Sequence, residues 1–399
     1  MSQKIKTRIR ELAAQYLQDV IQWRRQLHSK PELAFEEVET AKFICARLDE
    51  MNIPYTKGVA RTGVVAMIEG LSPQSKTVAL RADMDALAIN ELNHSPYKSA
   101  KSGLMHACGH DAHMASLLGT ARILREIRTE FSGSVKLIFQ PSEEKYPGGA
   151  SVMISEGVLE NPKPAVIFGQ HVLPGLEAGK VGMKSGMYMA STDEIYLTVK
   201  GVGGHAATPD INVDPVLIAA HIIVALQQIV SRNASPSVPS VLSFGRVVAN
   251  GRTNIIPDQV IIEGTFRTYD EDWRAEAHRR ITHMAEKLAE SMGGGCDVFI
   301  DRGYPYLVND DITTRHAFRD AQDYLGTENV EELDLRMTAE DFAYYSQIIP
   351  ACFYRLGTGN KEAGISSNLH TATFDIDESA LGTGMGLMAW LAYKELKRS

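Results

Sequence analysis

Residues 195–199 read Ile195-Tyr196-Leu197-Thr198-Val199, a strand that begins a new texture after Lys184-Ser185-Gly186. A long helical stretch, Pro215 to Val230, follows it, then strands near Val241-Leu-Ser-Phe244 and Val260-Ile-Ile262. A helix from Arg274 to Met292 and a strand from Asp297 to Ile300 complete the order β-α-β-β-α-β. That order is the split βαβ arrangement of a ferredoxin-like domain.

Outward from this block the chain alternates differently. On the amino side, Leu12, Tyr16, Val20, Trp23 and Leu27 recur at helical spacing, and the helix stops near Lys30-Pro31. A second helix from Glu36 to Met51 precedes strands Val64 to Ile68 and Thr77 to Leu80, which lead into Arg81-Ala-Asp83-Met-Asp85. A helix from about Cys108 to Ile127, a strand Val135 to Gln140, a short helix after Gly148-Gly149 and a strand Val166 to Gly169 continue the pattern. On the carboxyl side come helices Ile312 to Leu325 and Glu340 to Ile348, a strand Cys352 to Leu356 and a helix Glu378 to Leu396. The expectation is an α/β sandwich on a mixed sheet, split into residues 1–186 and 302–399, with residues 187–301 inserted.

The 399 residues carry 41 Lys+Arg against 49 Asp+Glu, a formal charge of -8 without a basic run. Nucleic acid and anionic membrane are poor partners for such a surface, and a small molecule or peptide is the better one. Cys45, Cys108, Cys296 and Cys352 lie far apart without CxxC spacing, so neither a disulfide framework nor a zinc ribbon is expected. Met1 to Arg10 has no apolar segment of a secretory signal, and no run of roughly 18 apolar residues is read as a membrane span. A soluble protein of the reducing cytoplasm is expected.

Chemistry concentrates in Met105-His106-Ala107-Cys108-Gly109-His110-Asp111-Ala112-His113, at the turn into a helix. A thiolate and a neutral imidazole suit a borderline divalent cation, and Gly109 permits a turn tight enough to aim both at one point. The helix N-terminus is expected to lower the thiol pKa. The plain alternative is a buried free Cys beside histidines that cap the helix. Gln140-Pro141-Ser142-Glu143-Glu144 ends a strand, where ligands bind in α/β proteins. Neighbouring carboxylates point apart, so one can ligate a metal while the other meets a water as general base; the alternative is an exposed acidic loop. His171 and His370, at a strand end and in a loop, complete a set able to hold two metals, an arrangement that clamps a water and polarises a carbonyl.

These motifs resemble the amidohydrolase branch of the co-catalytic metallopeptidase family that contains hippurate hydrolases, indole-acetyl-amino-acid hydrolases, aminoacylases and carboxypeptidases. The resemblance runs from Trp23-Arg-Arg-Gln-Leu-His28 with Pro31-Glu-Leu33, through Leu80-Arg-Ala-Asp-Met-Asp-Ala-Leu87, Met105 to Asp111 and Gln140 to Glu144. It continues in Gly169-Gln-His-Val172, Gly203-Gly-His-Ala206 with Pro209, Asn254-Ile-Ile-Pro257, Phe266-Arg267, Glu340-Asp-Phe342 and Leu369-His370. It implies that Cys108, His110, Glu144, His171 and His370 ligate two divalent ions, zinc or manganese, with Cys108 bridging and Glu143 as general base. Asp83 stands where sister branches have a ligand histidine. Asp85 is expected to orient a ligand through a hydrogen bond, or else to cap a helix. The chain departs from the pattern at Ala88, where Pro is usual, and at Thr338-Ala339, where glycines are common.

In the inserted domain, read as a lid and dimerisation module, Arg267 is the candidate for the substrate's α-carboxylate, its alternative a bridge to acids such as Glu263. Asn254 is a candidate amide donor or a turn residue before Pro. His205, pushed outward by Gly203-Gly204, is a candidate oxyanion donor or a surface histidine on a loop. The resemblance implies that it reaches a neighbouring subunit, hence a homodimer. The expected reaction is hydrolysis of an N-acyl-amino acid to a carboxylic acid and a free amino acid. The alternatives are a carboxypeptidase or dipeptidase acting on short peptides and an inactive metal-stabilised scaffold, which would have no need of Glu143.

Overall fold

In the computed structural model, which describes residues 2–398, the chain begins with α1 (Ser2–His28) and α2 (Val38–Glu50), then β1 (Tyr55–Val59), β2 (Gly63–Glu69) and β3 (Thr77–Asp83). Next come α3 (His110–Glu126), β4 (Ser134–Gln140), α4 (Gly149–Ser155), β5 (Val166–Glu177) and β6 (Val181–Met183). The middle of the chain holds β7 (Asp193–Lys200), α5 (Pro215–Leu226), β8 (Ser240–Ala249), β9 (Gln259–Thr268), α6 (Glu271–Ser291) and β10 (Gly295–Arg302). The chain closes with α7 (Asp311–Leu325), β11 (Val330–Glu332), β12 (Ala351–Gly359) and α8 (Ala380–Leu396). Two compact units result: one holds the chain up to Gly186, Val308–Asp334 and everything from Asp341; the other is Met187–Leu307 with Leu335–Glu340. Residues 302–307 and 335–340, read in sequence as part of the outer domain, thus belong to the second unit.

The first unit is built on an eight-stranded mixed sheet in the order β1-β2-β4-β3-β5-β12-β6-β11. Its middle strands β4, β3, β5 and β12 run parallel. A parallel strand covered on both faces reads as an unbroken buried run, and all seven residues of β3 are buried. Two of them, Arg81 and Asp83, are charged, the first sign that this strand serves more than packing. Leu12, Val20, Leu117, Leu118, Met385 and Trp390 of α1, α3 and α8 join the same apolar core. The short strands β1, β6 and β11 had no sequence reading, being too brief for a period. Of the helix expected from Glu340 to Ile348, only Ala343–Ser346 is helical. The Asp341 carboxylate is instead held by Arg81 at 2.8 Å and by Gln140 at 2.8 Å.

The second unit carries a four-stranded antiparallel sheet in the order β8-β9-β7-β10, with α5 and α6 in the crossovers. Ile195, Leu197 and Val199 of β7 share a core with Ile218, Ile222, Leu226 and Ile281 of the helices. Asp214 caps α5 by accepting Val216 N–H at 2.8 Å, and Asp270 caps α6 by accepting Trp273 N–H at 2.7 Å. Contrary to the sequence reading, the helical stretch Pro215–Asn233 is long and apolar enough to cross a membrane by length and composition. Its Ile218, Ala219, Ile222, Leu226 and Ile229 are buried in this unit's core, which accounts for the apolarity of that face.

Candidate metal centre

Gly109 sets the geometry at the start of α3. Its φ of +82° is left-handed, and a Cβ there would stand 2.4 Å from Cγ2 of Val172, so only glycine fits between Cys108 and His110. On the neighbouring loop, Ser142 (φ 51°) turns the chain after β4, and Glu143 and Glu144 follow beside Asp85, just past the end of β3. Asp85 fixes that loop: its carboxylate accepts Glu143 N–H at 3.0 Å and Glu144 N–H at 2.9 Å, one on each oxygen. Asp85 therefore caps no helix, and it is its main-chain carbonyl that takes His110 Nδ1–H, at 2.8 Å. His171 lies inside β5, which extends to Glu177 rather than ending at Gly169.

The side chains converge on Cys108. Its Sγ is 3.4 Å from His171 Nε2 and 3.2 Å from His370 Nε2, and His370 Nε2 is 3.2 Å from Glu144 Oε1. Ligands held 2.0–2.3 Å from one tetrahedral cation stand roughly 3.3–3.8 Å apart, so these gaps fit a metal. Two triads, Cys108/His110/His171 and Cys108/Glu144/His370, have their ligand atoms within 4.8 Å of one another and share the one sulfur. The buried atoms His110 Nε2 and Glu144 Oε1 have no hydrogen-bond partner among the described residues, the His370 contact lacking hydrogen-bond alignment. Unpartnered buried polar atoms are costly, and a cation would satisfy both. His370 itself sits at φ 59°, an uncommon backbone state for a non-glycine residue and one that recurs at functional sites.

The electrostatics suit a cation. Burial favours neutral His110, but Asp83, Asp85 and Glu144 more than offset this and push its pKa up to about 10. Burial, then the charges of Arg355 and His113, hold His171 well below the ordinary imidazole value. Its Nδ1 donates to Val172 O at 2.8 Å, which leaves an Nε2 lone pair facing the thiol. Against the expectation from helix position, burial first, then the charges of Glu144 and Glu143, push the Cys108 thiol up. The His370 imidazole is raised by its contact with Glu144.

Glu143 is buried, with Oε2 4.0 Å from His110 Nε2 and Oε1 accepting Asp341 N–H at 3.4 Å. Asp83, His110 and His113 form a further group of possible ligands. Asp83 is spent, however, on Arg81 at 2.6 Å and His113 Nδ1 at 2.6 Å. Sequence reasoning missed Glu37, whose Oε1 accepts Ser142 N–H at 2.8 Å and whose Oε2 accepts the Thr62 hydroxyl at 2.6 Å. Asp341, quoted in the motif Glu340-Asp-Phe342 but given no role there, is the carboxylate that Arg81 and Gln140 hold.

The other three candidates lie in the second unit. Gly204–His205 pairs with Ile255–Ile256, and Ala206 N donates to Asn254 O at 3.1 Å, so His205 and Asn254 are neighbours with exposed side chains. The glycines there serve close approach, since a Cβ on Gly203 would stand 2.5 Å from Ile256 O. Arg267, on β9, donates to Phe266 O at 3.2 Å and to the Thr265 hydroxyl. It makes no ion pair among the described residues; Glu263, the alternative partner, is taken by Arg246.

Residues 79–394 match the peptidase family M20/M25/M40. The IAA-amino acid hydrolase ILR1-like 4 of Arabidopsis thaliana is 40% identical over 384 residues, spanning 94% of this chain and 86% of that protein. The N-acetylcysteine deacetylase of Bacillus subtilis (strain 168) is 40% identical over 380 residues, spanning 94% and 96%. Among solved structures, the Bacillus subtilis YXEP protein, a dinuclear metal binding peptidase from the M20 family, superposes with a TM-score of 0.84 at 35% identity, covering 97% of this chain and 99% of that one.

Proposed function

The chain belongs to peptidase family M20/M25/M40 and is a metal-dependent hydrolase, and on that premise we propose that it cleaves N-acyl-amino acids at the amide bond, releasing a carboxylic acid and a free amino acid. The observation that carries this reading is the pair of triads sharing Cys108 Sγ beside the buried carboxylate of Glu143. Cys108, His110, Glu144, His171 and His370 would hold two divalent cations; the thiolate favours zinc, and the carboxylate and imidazoles also admit manganese. Such a pair, when bound, supplies Lewis-acid polarisation of the scissile carbonyl and acidifies water.

Glu143 takes a proton from the attacking water and returns it to the leaving amine. Asp85 keeps Glu143 and Glu144 apart on one loop by holding both of their N–H groups. Arg267, a guanidinium with no carboxylate partner among the described residues, would bind the substrate's α-carboxylate bidentately. His205 would donate to the developing oxyanion and Asn254 to the acyl oxygen or carboxylate.

A homodimer through the second unit is part of this reading. Edge strand β8 spans ten residues with exposed Val241 and Val247 and a single charged residue, Arg246. The edges of the large sheet are short, and they carry Lys57 on β1 and Glu331-Glu332 on β11. On α5, Leu217 and Val224 face outward. Four free thiols fit a reducing cytoplasm.

The test is a panel of N-acetyl-, N-benzoyl- and indole-acetyl-amino acids beside dipeptides, run on protein reloaded with Zn²⁺, Mn²⁺ or Co²⁺. Faster turnover of the N-acyl compounds is expected. Preference for dipeptides would favour a peptidase, and no turnover of any would favour a scaffold.

A further inference from the structure

One imidazole of the histidine cluster has no task in the reading above. His113 lies one helical turn after His110, on the same face of α3, and is buried. Its Nε2 accepts the main-chain N–H of Val172 at 2.9 Å. An amide N–H can only donate, so this nitrogen is bare and the ring proton is on Nδ1, where Asp83 accepts it at 2.6 Å. Both nitrogens are therefore engaged, and the ring is a neutral connector between β3 and β5. Asp83 is backed in turn by Arg81, which also holds Asp341 at 2.8 Å.

Val172 N belongs to the peptide that joins it to His171, and Val172 O accepts His171 Nδ1–H at 2.8 Å. The ladder between β3 and β5 ends at Arg81 and Gly169, so strand pairing to β3 does not reach this peptide. The side chain of Val172 also occupies the space a Cβ on Gly109 would need. A shift of Val172 would thus disturb His171 and the turn between Cys108 and His110 together.

We propose that His113 is a positioning residue that holds the His171 peptide through Val172 N–H and thereby aims His171 Nε2 at one of two cation positions sharing Cys108. This rests on the metal reading above. Partners of this kind are typically worth on the order of 10–100-fold in metal affinity.

Two variants separate positioning from packing. His113→Asn keeps an N–H near Asp83 but falls short of Val172, whereas His113→Gln can carry a carbonyl oxygen to the former Nε2 position. Metal-free protein titrated with Zn²⁺ against a chromogenic chelator should show two equivalents in the wild type. His113→Asn should weaken one of them by on the order of 10–100-fold, and His113→Gln should restore most of that loss. With Co²⁺, the thiolate charge-transfer band should change in His113→Asn and return in His113→Gln. Wild-type binding in His113→Asn overturns the proposal, as do equal losses of both equivalents in the two variants with equal drops in metal-free melting temperature. If neither variant folds, nitrogen NMR of histidine-labelled wild type still decides: protonated Nδ1 with bare Nε2 on His113 is required, and the reverse overturns it. A wild-type chain that takes up no Zn²⁺ overturns the metal reading itself, and the tautomer result stands apart from it.

Discussion

Cys108 Sγ and His370 Nε2, 262 residues apart in sequence, stand 3.2 Å apart in the folded chain. The backbone reinforces the approach, since His370 N donates to Ala107 O at 2.8 Å. The thiol that burial and nearby carboxylates push up is thus met by two imidazoles. Its proton leaves readily only in exchange for another cation.

Cys108→Ser tests the sharing of that sulfur. A hydroxyl is a poor ligand for a borderline cation, so both metal equivalents should weaken, not one. Metal analysis after dialysis against chelator reads the outcome; two equivalents retained per chain would remove Cys108 from the ligand set.

Asp85→Asn tests the loop. The carboxylate accepts two N–H groups, while an amide offers one acceptor and turns an NH₂ toward the other donor. Charge-assisted bonds of this kind are worth about 1.5–3 kcal/mol, so kcat/KM should fall by about 10–100-fold. A loss under about twofold would show that the Glu143-Glu144 loop holds itself.

Glu37 predicts a pH dependence of stability. Burial raises its carboxyl from 4.5 to about 7, so between these values the folded chain binds more protons than the unfolded one. Stability from this group is fully present below about pH 4.5 and is lost as pH rises through about 7. Glu37→Gln should therefore gain on the wild type by about 2–3 kcal/mol between pH 5 and pH 8, read from denaturant unfolding at each pH. A difference that does not change with pH would refute the assignment.

Much of the centre was legible because its candidate ligands are polar residues in loops, at a helix start and within a strand of an apolar framework, where residue type alone points to chemistry. What surrounds them was not. His113 has the same spacing signal as a ligand, and only its bond to Val172, 59 residues away, shows that Nε2 is spent. Glu37 acts on a main-chain N–H, which leaves no mark in side-chain patterns; Asp85 was expected to orient a ligand, but its hold on the Glu143 and Glu144 N–H groups left no such mark either. Helix position, a local signal, points to a lowered Cys108 thiol, whereas burial and then carboxylates from the loop after β4 and from β3 raise it. In the second unit the β-α-β-β-α-β order was readable from element sequence. The helix from Pro215 was readable too, but its spanning length and apolarity were not, because His221, Gln227 and Gln228 interrupt the apolar run.

The central claim is that Glu143 moves protons while its neighbour and four other residues hold metal. Glu143→Ala, reloaded with Zn²⁺, should keep two equivalents by metal analysis and lose 10²–10⁴-fold in kcat, about what general acid–base catalysis contributes. A variant that holds both metals and turns over within about tenfold of the wild type would contradict the account.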